Sequence, residues 1–323
     1  MKLSHIRTVC EIAERGFSMS AAAAALNRSQ PALSRQIADL ERELGVRVFS
    51  RTRNKIVGLT PQGAQIMTAG QRIARETEDL KKLISNEGQG EHELRIATTH
   101  SHARYTLPRV IQRFNAQHPK VVLNLRQGAD PQQCANLVAL GKADIGVTTS
   151  IEDPPRGTVA IPAFKLSRCL FAPKLHAVTR KKLTLQRIAQ YPLIAYSRPP
   201  EGRWLFGSVF SDAGLKPHIV LNAIDADVSK TYVALGLGIA VLASIAYDPA
   251  HDRKLVAINV DHIFRPGMIV VIFRRGAYIS QHTLDFLSLF APHLNAETAI
   301  RWVDGKEIDR AEFSHLAPFA SFV

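Results

Sequence analysis

The sequence predicts an α/β domain of two lobes, preceded by a small helical unit with a two-stranded wing and by one long connecting helix. Three observations carry that prediction. Two helical patterns meet across a short break at Leu26–Asn27–Arg28; a single helical pattern runs from Pro61 to about Ile84; and from Glu93 onward β-favouring runs alternate with helical ones. At 323 residues the chain is long enough for two or three domains, each with a sizeable core.

Residues 3–15 place Leu3, Ile6, Val9, Cys10 and Ala13 on one face and form a supporting helix. Ala21 to Ala25 is nearly pure alanine, high in helix propensity and small enough to let a neighbouring helix come close. The next helix carries Leu33, Ile37, Leu40 and Leu44 at i, i+4, i+7 and i+11, with Ser29 as its cap and Pro31 in its first turn. Once that stripe is buried, Gln30, Ser34 and Arg35 face outward together. This is the arrangement of a helix-turn-helix, whose second helix sets its N-terminal side chains against base edges in the major groove. A plain helical hairpin with a solvated polar face has the same spacing, and the charges decide between them. Arg28, Arg47, Arg51, Arg53 and Lys55 cluster in or just after the unit, and residues 1–60 hold ten Lys/Arg against five Asp/Glu. DNA phosphates would supply the opposite charge. Gly45 ends the helical pattern, and Val46–Leu59 reads as a two-stranded wing with its basic tip at Arg51–Lys55.

Thr60 caps and Pro61 opens the long helix, in which Ile66, Ile73 and Leu80 stand seven residues apart. A heptad stripe this short, about two and a half heptads, is more often plain core than a coiled seam. Pairing of two chains follows independently, because one helix-turn-helix reads only a half-site. The polar, glycine-containing stretch SNEGQGEHE (85–93) marks a boundary. The expected organisation is therefore an all-α winged helix-turn-helix over 1–60, a linker and dimerisation helix over 61–87, a two-lobed domain over 88–293, and a tail over 294–323. Within the third, lobe one covers about 93–163 and 267–293 and lobe two about 164–266. Strands are expected at 94–99, 121–128, 143–149, 219–224, 239–243 and 267–275, in a mainly parallel sheet, with helices at 106–119, 132–140, 227–236 and about 280–290.

Composition narrows the function classes. A formal net charge of +13 suggests a polyanionic partner, although residues 91–323 also carry 27 Lys/Arg against 19 Asp/Glu. Cys10, Cys134 and Cys169 are far apart and odd in number, which speaks against a disulfide framework or a zinc ribbon and for a reducing cytoplasm. There is no apolar signal region at the N-terminus, and the most apolar run, Tyr232 to Tyr247, is short for a membrane span and interrupted by Gly236 and Gly238. A solute receptor would explain only the second half of the chain and needs a signal peptide. An enzyme needs a nucleophile, base or metal constellation, and none can be assembled.

Ligands of open α/β sheets bind beyond the carboxyl ends of strands, beside helix N-termini. Thr98–Thr99–His100–Ser101–His102 and Thr148–Thr149–Ser150 are the two such corners rich in hydroxyls, the donors that a small oxyanion needs. Simple Ser/Thr capping would leave the same residues there. His100-x-His102 is at most half a metal site, Ser101 lies in no G-x-S-x-G, and Gly236-Leu237-Gly238 precedes a strand where a dinucleotide fingerprint follows one.

Two resemblances sharpen this reading. R-S-Q-P-A-L-S-R-Q-I-x-x-L-E-x-E-L-G (28–45), then V-x-V-F-x-R and L-T-P-Q-G, resemble the N-terminal winged helix-turn-helix of LysR-type transcriptional regulators from Lys2 to about Gly63. In those regulators the long helix pairs with a partner's copy, and the α/β domain is periplasmic-binding-protein-like. The match implies DNA contacts from Arg28, Ser29, Gln30, Pro31, Ser34, Arg35, Arg51, Arg53 and Lys55. It also implies a double-stranded DNA operator, a homodimer or homotetramer, RNA polymerase as a further candidate partner, and neither a cofactor nor a membrane. Within the second half, I-A-T-T-H-S-H-A-R-Y-x-L-P-x-V-I, Q-Y-P-L-I, D-A-D-V-x-K-T-Y-V-x-L-G-L-G and F-A-P-H-L are similar to the CysB/Cbl subgroup, which controls sulfur assimilation and sulfonate use. That subgroup implies a small-molecule effector, a sulfate-like anion or sulfur-pathway metabolite, lined by hydroxyls matching Thr99, Ser101 and Thr149. Two positions depart from it: His102 replaces a Gln, and Glu201 replaces a Thr. An acidic residue at 201 leans the expectation towards an effector with a positive group of its own.

Overall fold

The structure, a computed structural model, describes residues 1–53, 55–85, 92–151, 153–198, 203–204, 206–305 and 316–319. The chain divides into two compact units, 1–90 and 91–323.

In the first unit, α1 (Leu3–Glu14), α2 (Met19–Ala25) and α3 (Gln30–Leu44) pack around Val9, Ile12, Ala22, Ala23, Leu33, Ile37 and Leu40. Ser18 and Ser29 cap α2 and α3 by accepting the N–H groups of Ala21 and Ala32, and Gly45 ends α3 in the left-handed region at φ 69°. Leu44, expected on the buried stripe, is 39 % exposed, because the last turn of α3 runs past the edge of this core. The wing is the antiparallel pair β1 (Phe49–Thr52) and β2 (Lys55–Leu59). Glu41 fastens it to α3, its Oε1 accepting the N–H groups of Val48 and Phe49. The chain then enters α4 (Pro61–Ser85), whose first turn needs its glycine: a Cβ at Gly63 would lie 1.9 Å from the Val48 carbonyl oxygen.

Helix α4 lies against α1, with Gly70 close to Ile6 and Cys10. The expected dimerisation stripe divides here. Ile66 packs with Met67 against the core of the first unit, whereas Ile73 and the 57 % exposed Leu80 line an open groove with Ala69, Glu76 and Thr77. Ile66 is therefore partly buried against the core of this unit, the plain-core outcome that so short a heptad favours.

The second unit begins with β3 (His92–Thr98), α5 (His100–Tyr105), α6 (Pro108–Gln117), β4 (Val121–Gln127), α7 (Pro131–Ala139), β5 (Ile145–Thr149) and β6 (Thr158–Leu166). The chain then enters lobe two through β7 (Arg168–Pro173), α8 (Leu185–Ala189), β8 (Leu193–Arg198), β9 (Arg203–Trp204), α9 (Gly207–Asp212), β10 (Ile219–Ala223), α10 (Ala226–Ala234), β11 (Ala240–Ala243) and β12 (Leu255–Asn259). It returns to lobe one through β13 (Gly267–Arg274), α11 (Gln281–Phe290) and α12 (Ala296–Val303). The sheet of lobe one has the order β4-β3-β5-β13-β6 and is mixed, not mainly parallel as expected. β3 runs parallel to β4 and β5, but β13 is antiparallel to both β5 and β6, because it re-enters from lobe two at the edge where they end. In lobe two, β11 and β12 flank β7 antiparallel, β8 pairs parallel with β10 and antiparallel with β9, and a Leu193–Ile239 bridge joins the two groups.

The segment set apart as a tail from residue 294 belongs partly to the core of lobe one. Ala299, Trp302 and Val303 of α12 are buried there, and Phe319 packs on Phe164 and Phe290 while its N–H donates to the Lys165 carbonyl. Phe313 and Phe322, and most of the 85–93 boundary, lie outside the described residues. Among the described residues no helix is long and apolar enough to cross a membrane. Trp302 is 1 % exposed, so Trp302→Ala leaves a large cavity and should destabilise the second unit by about 3–5 kcal/mol in urea unfolding. A loss below about 1 kcal/mol, the level of an ordinary surface change, would show that α12 is not part of this core.

Candidate functional site

On the first unit, burial of Leu33, Ile37 and Leu40 turns Arg28, Ser29, Gln30, Pro31, Ser34 and Arg35 to solvent on one surface around the start of α3. The wing tip exposes Arg53 and Lys55, and the turn holds Arg53 at φ 47°. Two of the nominated groups have duties inside the unit. The Ser29 hydroxyl accepts the Ala32 N–H, and the Arg51 guanidinium lies 3.9 Å from the Glu41 carboxylate that anchors the wing.

In the second unit β3, β5 and β6 all end at the edge facing β7, which brings Thr99, Thr149 and Arg168 to that one edge. Thr99 is the N-cap of α5, Ser101 lies in its first turn, and both are half-buried, as is Thr149. His102 is 1 % exposed, with Nδ1 2.9 Å from the Thr106 hydroxyl and Nε2 3.3 Å from that of Thr149. Burial, with the charge of Arg168 adding to it, pulls its pKa down to about 4, so near neutral pH the ring is uncharged and orients Thr149. Glu201 lies outside the described residues.

Arg168 is the residue that the sequence reading missed. It is 8 % exposed and opens β7; a Cβ placed on Gly267 would meet its guanidinium at 2.4 Å and the Thr149 methyl at 3.5 Å. Gly267 thus leaves the space in which arginine and threonine approach each other. The guanidinium lies 5.5 Å from the Phe206 ring centroid, and the Arg168 backbone N–H donates to Asp261 at 2.6 Å. One available signal was a lone cation at the head of the apolar run RCLFAP.

On another side of α5, its residues meet α10 of lobe two. Asp227 accepts the Tyr105 hydroxyl and lies 3.1 Å from both His100 Nε2 and Arg104 Nε, while Lys230 is 3.7 Å away and also bonds Asp252 at 3.0 Å. Burial opposes ionisation of Asp227, but hydrogen bonds from Tyr105 and His100 and the charges of Arg104 and Lys230 outweigh it and hold its pKa below the usual carboxylate value. His100, Arg104, Asp227 and Lys230, with Asp225, Asp252 and Arg253, line a cavity of about 790 Å³. His100 and His102 therefore point into different surroundings and do not form a metal pair.

The chain matches the bacterial regulatory helix-turn-helix protein, lysR family, over residues 3–64 and the LysR substrate binding domain over residues 87–295. It is 40 % identical to the HTH-type transcriptional regulator SsuR of Burkholderia cenocepacia over 91 % of this chain and 96 % of that protein. It is 36 % identical to the crystal structure of the cofactor-binding domain of the Cbl transcriptional regulator, with a TM-score of 0.61 over 68 % of this chain and 98 % of that one. Full-length CbnR complexed with its target DNA shares the fold at 20 % identity, with a TM-score of 0.57 over 90 % of this chain and 99 % of that one. The chain belongs to the LysR family of transcriptional regulators.

Proposed function

We propose that this LysR-type regulator reads a DNA operator as a homodimer or higher oligomer, and that an anionic sulfur-pathway metabolite, or sulfate itself, binding between its lobes controls that reading. Its resemblance to the CysB/Cbl subgroup assigns it to genes of sulfur assimilation or sulfonate use. The observation that carries the effector reading is the meeting of Arg168, Thr149 and neutral His102 at the strand ends of lobe one. A half-buried hydroxyl pair and one guanidinium suit an oxyanion, since charge-assisted hydrogen bonds strengthen where water is excluded. In this reading Thr99 and Ser101 supply the remaining donors from the first turn of α5, and Asp227 holds α5 to α10 beside them. The exposed start of α3 reads base edges, while Arg53 and Lys55 at the wing meet the backbone. The open groove of α4 around Ala69, Ile73 and Leu80 pairs with its copy.

Arg168→Met should lower sulfate or O-acetylserine affinity at least about tenfold in isothermal titration, the minimum expected for losing a charged hydrogen bond. Because His102 gains a proton only near pH 4, wild-type sulfate affinity should show no inflection from pH 5 to 8. Equal affinities in wild type and Arg168→Met would remove the cleft from consideration as the anion site.

Arg35→Ala should erase the preference for operator over random DNA, since base contacts specify. Lys55→Ala should weaken both DNAs alike and reduce the salt slope of binding by about 1. A gel-shift series across salt concentrations reads both; an unchanged operator preference in Arg35→Ala would mean that α3 is docked in another register.

Ile73→Glu places a carboxylate in the α4 groove at a cost of several kcal/mol if the groove is buried between chains. The mass in analytical ultracentrifugation should fall to that of a single chain, and an unaltered dimer mass would locate the main interface elsewhere.

A further inference from the structure

Three metal-ligating side chains meet on lobe one outside the effector cleft. His118 is the C-cap of α6, and His282 and Asp285 stand at i and i+3 in the first turn and a half of α11, so both project from one side of that helix. One ligand atom from each lies within 4.8 Å of the others, and all three residues are half-buried. His118 Nε2 is 3.2 Å from Asp285 Oδ2. Two ligands about 2.1 Å from one metal ion are roughly 3.0 Å apart in octahedral and 3.4 Å apart in tetrahedral coordination, so this spacing already fits a shared ion. The His118 and His282 rings stand edge to face, 5.1 Å between centroids, and the third ligand therefore needs only a small side-chain shift.

The surroundings hold two of these ligands in place. Gln281 Nε2 donates to Asp285 Oδ1 at 2.8 Å, which fixes the carboxylate and leaves Oδ2 directed at His118. The His118 ring packs 4.7 Å from Phe114, which in turn meets Phe286 of α11. The free carbonyls at the end of α6 favour a cation beside His118, while the N-terminal end of α11 opposes one, so the helix dipoles nearly cancel and the ligands decide. An ion pair between His118 and Asp285 would need only one histidine; a second imidazole within reach of the same carboxylate is what a metal uses.

We propose that His118, His282 and Asp285 form a site for a borderline divalent cation, Zn²⁺ foremost. Two imidazoles and one carboxylate are a ligand set that zinc, cobalt and nickel share, and three protein ligands leave a coordination position for water. The ion ties the end of α6 to the start of α11, at the edge of lobe one opposite the one where β3, β5 and β6 end.

The test uses the untagged full chain, stripped with a chelator and titrated with Co²⁺, followed by displacement with Zn²⁺. Wild type should bind one equivalent that gives visible d–d absorption without thiolate charge transfer, and Zn²⁺ should raise its melting temperature. His282→Asn and Asp285→Asn should each lose that equivalent, and Gln281→Ala should weaken it about 10-fold, as supporting-shell changes do. Melting in metal-free buffer identifies any variant that fails to fold, and the Gln281→Ala arm then carries the decision. Absence of a wild-type equivalent, or equal Co²⁺ affinity in wild type and every folded variant, would overturn the site.

Discussion

Four of the five strands of lobe one end on the same edge, and lobe two begins at that edge. β3, β4, β5 and β6 share a direction, and β13 opposes them only because the chain must come back across the same gap. The rest of the second unit depends on this constraint. Thr99 and Ser101 after β3, Thr149 at the end of β5 and the crossing residue Arg168 are delivered to one edge by chain direction, although they come from three separate stretches of sequence.

The electrostatics of that edge keep two positive groups from competing. A buried imidazolium beside a buried guanidinium would lose hydration and gain repulsion, and the protein resolves this by leaving His102 neutral and Arg168 charged. The neutral ring still holds one donor and one acceptor, which it spends on Thr106 and Thr149. Asp227 solves the opposite problem at the α5–α10 contact. There a single carboxylate draws together Tyr105, His100, Arg104 and Lys230 from both lobes, so its value lies less in net stability than in fixing how the lobes meet.

Legibility in the sequence followed the range of the interactions involved. The helix-turn-helix could be read because its signals are local: Ser29 and Pro31 at the start of α3, the stripe Leu33–Ile37–Leu40, and Gly45 at the end. The strands around 94–99, 143–149 and 267–275 could be read for the same reason. What escaped depends on contacts between distant positions. The sheet of lobe one is mixed because β13 pairs across more than a hundred residues with β5, a relation that period-two patterns do not encode. Ile66 packs against the core of the first unit, a contact that the heptad spacing does not encode, and Leu44 left the stripe because that core had already ended. Arg168 was missed because its neighbours read as a buried strand and its partners, Gly267 and Thr149, come from elsewhere. Of the residues that the resemblance implies, His102 meets Thr149 at the edge of lobe one, and Thr99 and Ser101 lie at the start of the helix that carries His102.

The first unit by itself offers DNA a modest grip. Its surplus over residues 1–60 is five charges, and Arg51 already leans on Glu41. Each neutralised phosphate contributes a slope of only about −0.9 in log affinity against log salt, so a lone unit with a few such contacts binds weakly at physiological salt. Adding basic residues would strengthen binding to all DNA equally and leave selectivity where it was. Joining two units does what added charge does not: the second half-site is bound at the high effective concentration set by the connection, and the base preferences of both α3 helices multiply. In the proposed dimer that connection is the open groove of α4 lined by Ala69, Ile73 and Leu80. A ligand that alters how two such chains are held can therefore change operator affinity without touching a single base contact.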